Sequence, residues 1–156
     1  MRLQDPPDEE LCKEVFAYYG RHAFCINLLE RTLVNILSSL QKKEDITQNV
    51  DENDEFTLGL LIKKVRKFNY LPNQLIDDLE KVKTERNAFI HKFFYENSGA
   101  FMTRGGSLEM IKKMEEFTEK ITKFTSEVEV HEGEISRSMG VTKSQIEGLL
   151  SEMRDE

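Results

Sequence analysis

The chain of 156 residues has no tryptophan, two cysteines, three prolines, eight glycines and three histidines. Each shortage excludes something. Two thiols cannot make a disulfide framework, nor a zinc site by themselves. Cys12 and Cys25 fall 13 residues apart on one predicted helix, about 20 Å at the helical rise, too far to bridge. Few glycines and prolines argue against collagen-like and disordered chains and against a turn-dense all-β sandwich. No continuous apolar run approaches the roughly 18 residues of a transmembrane helix; the run 58–62 is interrupted by Gly59. The opening MRLQDPPDEE is acidic and lacks the apolar stretch of a signal peptide. A cytoplasmic, soluble protein without membrane attachment is expected, with one domain's worth of chain.

What the chain has in quantity is charge, 33% of its residues, with a net of −7. That sign argues against a general nucleic-acid binder, but the distribution is uneven. Residues 44–55 hold six carboxylates and no base; 57–92 hold eight Lys or Arg against four acids; 129–156 hold seven acids against three bases. A basic middle lies between acidic flanks, and most of these charges are expected to be solvated helix faces.

Apolar spacing of three and four predicts helices throughout. Leu11, Val15, Tyr18, His22, Cys25, Leu29, Leu33, Ile36 and Leu40 predict one helix over 9–42, with Asp8 as its cap and Gly20 as a place for a bend. The polar stretch 43–55 has no period and reads as a loop. A short helix over 57–68 would turn Leu58, Leu61, Val65 and Phe68 inward. Pro72 suits the first turn of the next helix, over 72–97. Arg104, Gly105 and Gly106 read as a loop, and Ser107 as the cap of a helix over 107–131 carrying Leu108, Ile111, Met114, Phe117, Ile121, Phe124 and Val128. A polar connection with Gly133 and Gly140 would follow. Thr142 and Gln145 resemble a capping box opening a short last helix with Ile146, Leu149, Leu150 and Met153. The expected fold is all-α: a bundle of four main helices plus a short C-terminal helix. Residues 1–8 would form a tail, 9–131 the bundle, and 132–156 the connection and a short docking helix.

One residue stands out in the third helix. Leu75, Leu79, Val82, Arg86, Phe89 and Phe93 follow at steps of 4, 3, 4, 3, 4, a heptad seam with one arginine in it. An unpaired guanidinium in a packed seam costs several kcal/mol. Arg86 therefore has a partner, such as Glu30, Glu80 or Glu85, or faces a cleft or a subunit interface. Asn87 and His91 stand one turn apart beside the seam. Lys83 and Lys92 are near in sequence, and Lys63, Lys64, Arg66 and Lys67 come from the preceding helix. Cation, amide and imidazole together suit a phosphate, whose oxygens arginine grips in fork geometry.

The segment from Glu85 to His91, ERNAFIH, resembles the Arg-x4-6-His motif of HEPN domains, in which Asn often follows the Arg directly. The resemblance covers the motif and the all-α order around it, over about residues 9–130. It implies a HEPN-like helical domain that dimerises through the motif-bearing helices and forms a metal-independent ribonuclease site shared by two subunits. Many members are toxins or phage-defence effectors, and others have lost catalysis and serve as binding domains. Some HEPN toxins carry a tyrosine two residues after the His; here that position is Phe93, so regulation through it is not carried over.

On this reading His91 is general base or acid, Arg86 stabilises charge on the phosphorane, and Asn87 orients His91 or donates to a phosphate oxygen. Lys63, Lys64, Lys67, Lys83 and Lys92 would bind RNA. Cleavage by the ribose 2′-oxygen would leave a 2′,3′-cyclic phosphate and a 5′-hydroxyl, with no metal and no cofactor. The expected partners are a second copy of the chain, RNA, and an antitoxin or other regulatory protein. The alternative is a non-catalytic HEPN-like binding or assembly module. His22 reads as a core histidine and His131 as a solvated one.

Overall fold

The computed structural model describes residues 2–41 and 46–138, leaving aside the side chains of 46–48. Its elements are α1 (Glu9–Leu40), α2 (Ile46–Asp54), α3 (Leu58–Lys67), α4 (Asn73–Glu96), α5 (Ser98–Phe101) and α6 (Arg104–Ser138), with no strand among the described residues. The protein is all-α. Local chemistry sets several of the ends. Asp8 Oδ1 accepts the Leu11 amide at 2.8 Å, the capping bond expected of it. Thr57 Oγ1 accepts the Leu60 amide at 3.4 Å. The Pro72 carbonyl takes the Ile76 amide at 3.1 Å, so the proline stands just before α4. After α3, Asn69 turns the chain at φ 51°, a left-handed conformation that asparagine tolerates better than most residues.

Four sequence expectations need correction. The stretch read as a loop over 43–55 contains α2. Its buried residues include Asn49 and Asn53, one turn apart, and amides have no hydrophobic period to detect. Asn53 Nδ2 donates to Ser38 Oγ and Gln41 Oε1, both at 2.9 Å. Asn49 Nδ2 donates to the Ser38 carbonyl at 3.3 Å. Second, Arg104, Gly105 and Gly106 form the first turn of α6 rather than a loop, and Ser107 is buried inside that helix, donating to the Phe101 carbonyl at 3.3 Å. Third, the helix runs on through Gly133 to Ser138, where a connection was expected. Fourth, Phe68 and Leu108 are exposed, at 43% and 41%, instead of inward. The described residues thus hold six helices, and the expected C-terminal helix lies outside them.

The early start of α6 has a clear cause. The first amides of a helix lack partners within it. Here the N-terminal tail supplies them: the amides of Arg104 and Gly105 donate to the carbonyls of Asp5 and Leu3, both at 2.7 Å. Thr103 Oγ1 accepts the Gly106 amide at 3.1 Å, and Arg104 Nη1 is 3.3 Å from Asp8 Oδ2. The glycines answer to close approach. A Cβ on Gly106 would lie 2.1 Å from the Ala100 carbonyl oxygen, and one on Gly105 would lie 3.1 Å from Leu3.

The chain forms two compact units, Met1–Leu29 with Lys81–Phe124, and Glu30–Glu80 with Thr125–Glu156. In the first, Leu11 and Val15 of α1, Phe89 and Phe93 of α4, and Met110, Ile111 and Met114 of α6 make one apolar cluster, edged by Tyr18, Tyr19, Phe94, Ala100 and Phe101. In the second, the buried side chains include Leu33, Ile36 and Leu37 of α1, Leu61, Ile62 and Val65 of α3, Leu75 and Leu79 of α4, and Val128 and Ile135 of α6. Among the described residues one helix, α1, is long and apolar enough to cross a membrane by length and composition, and half of its most apolar stretch is buried within the protein.

Gly106→Ala should therefore destabilise the protein by about 3 kcal/mol, since backbone has to move to admit the methyl. Gly99→Ala, with nothing within 4 Å of its Cβ position, should stay within about 0.5 kcal/mol of wild type. Paired thermal melts check the contrast.

Candidate functional site

The motif lies on α4, within the first unit, and its orientation is set by Phe89 inside it and Phe93 just after it. Phe89 is buried, with Tyr19 stacked on it at 4.7 Å between ring centroids, Phe93 at 4.8 Å, and His22 edge-on at 4.0 Å. With Phe89 and Phe93 inward, the helical repeat turns Asn87, Ile90 and His91 outward. All three are exposed, and Arg86 is half-buried.

Arg86 Nη1 donates to Asn87 Oδ1 at 3.1 Å. The motif's cation and amide are thus joined side chain to side chain, and His91 stands one turn further along from Asn87. Lys83, half-buried, precedes Asn87 by one turn, so Lys83, Asn87 and His91 form a ladder at intervals of four. Lys92 is exposed but about 100° round the helix from His91. The expected lysines of the preceding helix, Lys63, Lys64 and Lys67, are on α3 in the second unit.

The same unit also leaves large apolar side chains exposed. Phe16 of α1 is 56% exposed, with its ring 5.6 Å from Phe94, and Ile90 is 37% exposed. Phe16, Gly20 and Phe24 follow at intervals of four along α1; Phe24 is 61% exposed, and nothing lies within 4 Å of a Cβ built on Gly20. The sequence signal for this face was the excess of aromatics off the core stripe of α1. A cleft of about 250 Å³ lined by Glu85, Ala88, Phe89, Phe93, Lys113 and Phe117 takes residues from the other side of α4. Asn87 and His91 therefore belong to an open surface within one copy of the chain.

Sequence reasoning also passed over the ion pair beside the motif, Lys120 Nζ to Glu85 Oε1 at 2.7 Å. His22 is a core histidine, as expected: 2% exposed, with Nδ1 3.4 Å from Thr118 Oγ1. His131, expected to be solvated, is half-buried, with Nδ1 3.6 Å from Glu134. Nearby in sequence, burial pushes the Glu132 carboxyl above the usual range, against the opposing effect of a 2.9 Å hydrogen bond from Asn35. Among the described residues no cluster of three or more His, Cys, Asp or Glu is arranged to hold a metal ion. Comparison of the chain with protein-family models, with curated proteins and with solved structures gives no match.

Burial lowers the His22 pKa to about 4, with the Glu85 charge acting in the opposite direction. The unfolded chain, with an imidazole near its ordinary 6.5, takes up the proton first. The stabilising contribution is therefore fully present above about pH 6.5 and lost as the pH falls toward 4, on the order of 3 kcal/mol in all. The melting temperature of the wild type should drop more between about pH 7 and pH 4.5 than that of His22→Phe; parallel curves would show that His22 does not titrate on unfolding.

Proposed function

We propose that the protein is a HEPN-like, metal-independent endoribonuclease acting as a homodimer through the α4 helices. The observation that carries the reading is the Arg86–Asn87 hydrogen bond one turn from an exposed His91. It brings a half-buried guanidinium and an amide together on a helix edge that also presents an imidazole. Imidazole gives and takes protons near neutral pH. The neighbouring guanidinium supplies fixed positive charge for a phosphate passing through a pentavalent state.

The chemistry favours two copies. In 2′-hydroxyl transfer one group removes the 2′ proton while another protonates the departing 5′ oxygen. A single imidazole cannot reach both at once. A twofold axis beside α4 would supply the second His91 and place two Arg86 side chains about one phosphate. The exposed Phe16, Phe24 and Ile90 of the same unit support such an interface, since large apolar side chains left on a surface are available to bury against a second copy. Gly20 would let the two backbones come close. Asn87, holding Arg86 through Oδ1, retains Nδ2 as a donor toward a phosphate oxygen or His91. RNA would be cut to a 2′,3′-cyclic phosphate and a 5′-hydroxyl. Such an activity belongs in the cytoplasm, in a toxin or phage-defence role, and calls for an antitoxin or regulatory protein to restrain it.

Purified protein incubated with total RNA in EDTA should cleave it. His91→Ala should slow cleavage at least about a hundredfold while melting within about 0.5 kcal/mol of wild type, since the side chain is exposed. Arg86→Lys should also lose most activity, because an ammonium lacks the planar fork. Restoration only by added magnesium or manganese, or unimpaired cutting by His91→Ala, would overturn the assignment.

The dimer has its own test. Gly20→Gln should raise the helical stability of the single chain by up to about 1 kcal/mol yet shift light scattering from dimer toward monomer. A wild-type chain that scatters as a monomer at micromolar concentration refutes the shared site.

A further inference from the structure

The second unit carries a surface that the motif does not use. Residues 63–70, KKVRKFNY, hold four cations and no carboxylate in a chain of net charge −7. Arg66 is taken up structurally, its Nη2 3.3 Å from Glu80 Oε1. The other three cations share a different face of α3: Leu60, Lys63, Lys64 and Lys67 stand at i, i+3, i+4 and i+7. Lys63 and Lys67 are exposed, and among the described residues neither has a carboxylate within ion-pair distance. Lys64 Nζ lies 4.5 Å from the centroid of the Phe56 ring, which draws an aromatic into the same face. At the end of the helix Phe68 and Tyr70 are 43% and 40% exposed on either side of the left-handed Asn69.

Helix electrostatics accounts for part of this. Cations near a helix C-terminus favour its dipole by a few tenths of a kcal/mol. That does not explain Lys63, in mid-helix, nor two large rings left in water within three residues of each other. Rings beside unbalanced lysines are what an unpaired nucleic-acid strand requires: bases stack on the rings, and ammonium groups meet the phosphates. A duplex hides its base faces and would use the lysines alone.

We propose that this α3 surface, with Lys63, Lys64, Lys67, Phe68 and Tyr70, binds single-stranded RNA. The choice of RNA rests on the ribonuclease reading; the stacking and phosphate chemistry does not. The test uses the full chain carrying His91→Ala, so that bound RNA stays intact, titrated by fluorescence anisotropy with a labelled oligouridylate at several salt concentrations. Phe68→Ala should weaken binding about fivefold or more without altering the salt dependence. Lys63→Gln with Lys67→Gln should lower the slope of log affinity against log salt by about 1.4. Phe68→Trp should keep the affinity, and Tyr70→Ala carries the stacking test if Phe68→Ala fails to fold. Binding that ignores all these changes overturns the proposal. So does equal affinity for a duplex, tighter binding of oligothymidylate than of oligouridylate, or loss in these variants of binding to phosphatidylserine vesicles alone. If the strand binds as expected while wild-type protein leaves RNA uncut, the surface stands and only the ribonuclease reading falls.

Discussion

The burial of Phe89 is the constraint on which the candidate site depends. A helix has a single rotational phase, and one large ring held between Tyr19, Phe93 and His22 fixes it for α4. With that phase set, Arg86 comes to the edge of the packed face and Asn87 and His91 to the surface. The ring also holds His22 in a dry setting, where its imidazole stays neutral over most of the pH range. Core packing and the outward presentation of the motif are two consequences of one contact set.

Backbone amides at helix starts impose the second constraint, because each must find a partner. Side chains meet it in α1 and α3, through Asp8 and Thr57. In α6 it is met by the carbonyls of Leu3 and Asp5. A tail that looks expendable by sequence therefore closes the end of the longest helix. Gly105 and Gly106 permit the required approach: Gly106 sits against the Ala100 backbone where no side chain fits.

Charge divides by location. The chain as a whole is acidic, and several of its cations are held in ion pairs within their own unit, Arg66 with Glu80 and Lys120 with Glu85. Lys63 and Lys67 of α3 stand apart from such pairing beside exposed rings. Arg86, bonded to Asn87, is positioned by a neighbour that can itself face a phosphate.

Sequence alone determined the helical class, because apolar side chains at steps of three and four can be buried together only on a helix. It determined the long first helix with its Asp8 cap, the break at residues 69–72, the core placement of His22, and the position of Arg86, Asn87 and His91 on one helix, since these follow from spacing within single helices. It was blind to α2, whose buried residues include Asn49 and Asn53, with side-chain amides that donate to Ser38 of α1 and to Gln41 just beyond it. It misread the glycines of α6 as a loop, because their need for close approach arises from Ala100 and Leu3 rather than from their own neighbours in the chain. It turned Phe68 inward, although α3 ends at Lys67 and leaves Phe68 as its cap. Tertiary structure decided these points because a buried amide, a glycine against a backbone and an exposed ring are each defined by what comes from elsewhere in the chain to meet them.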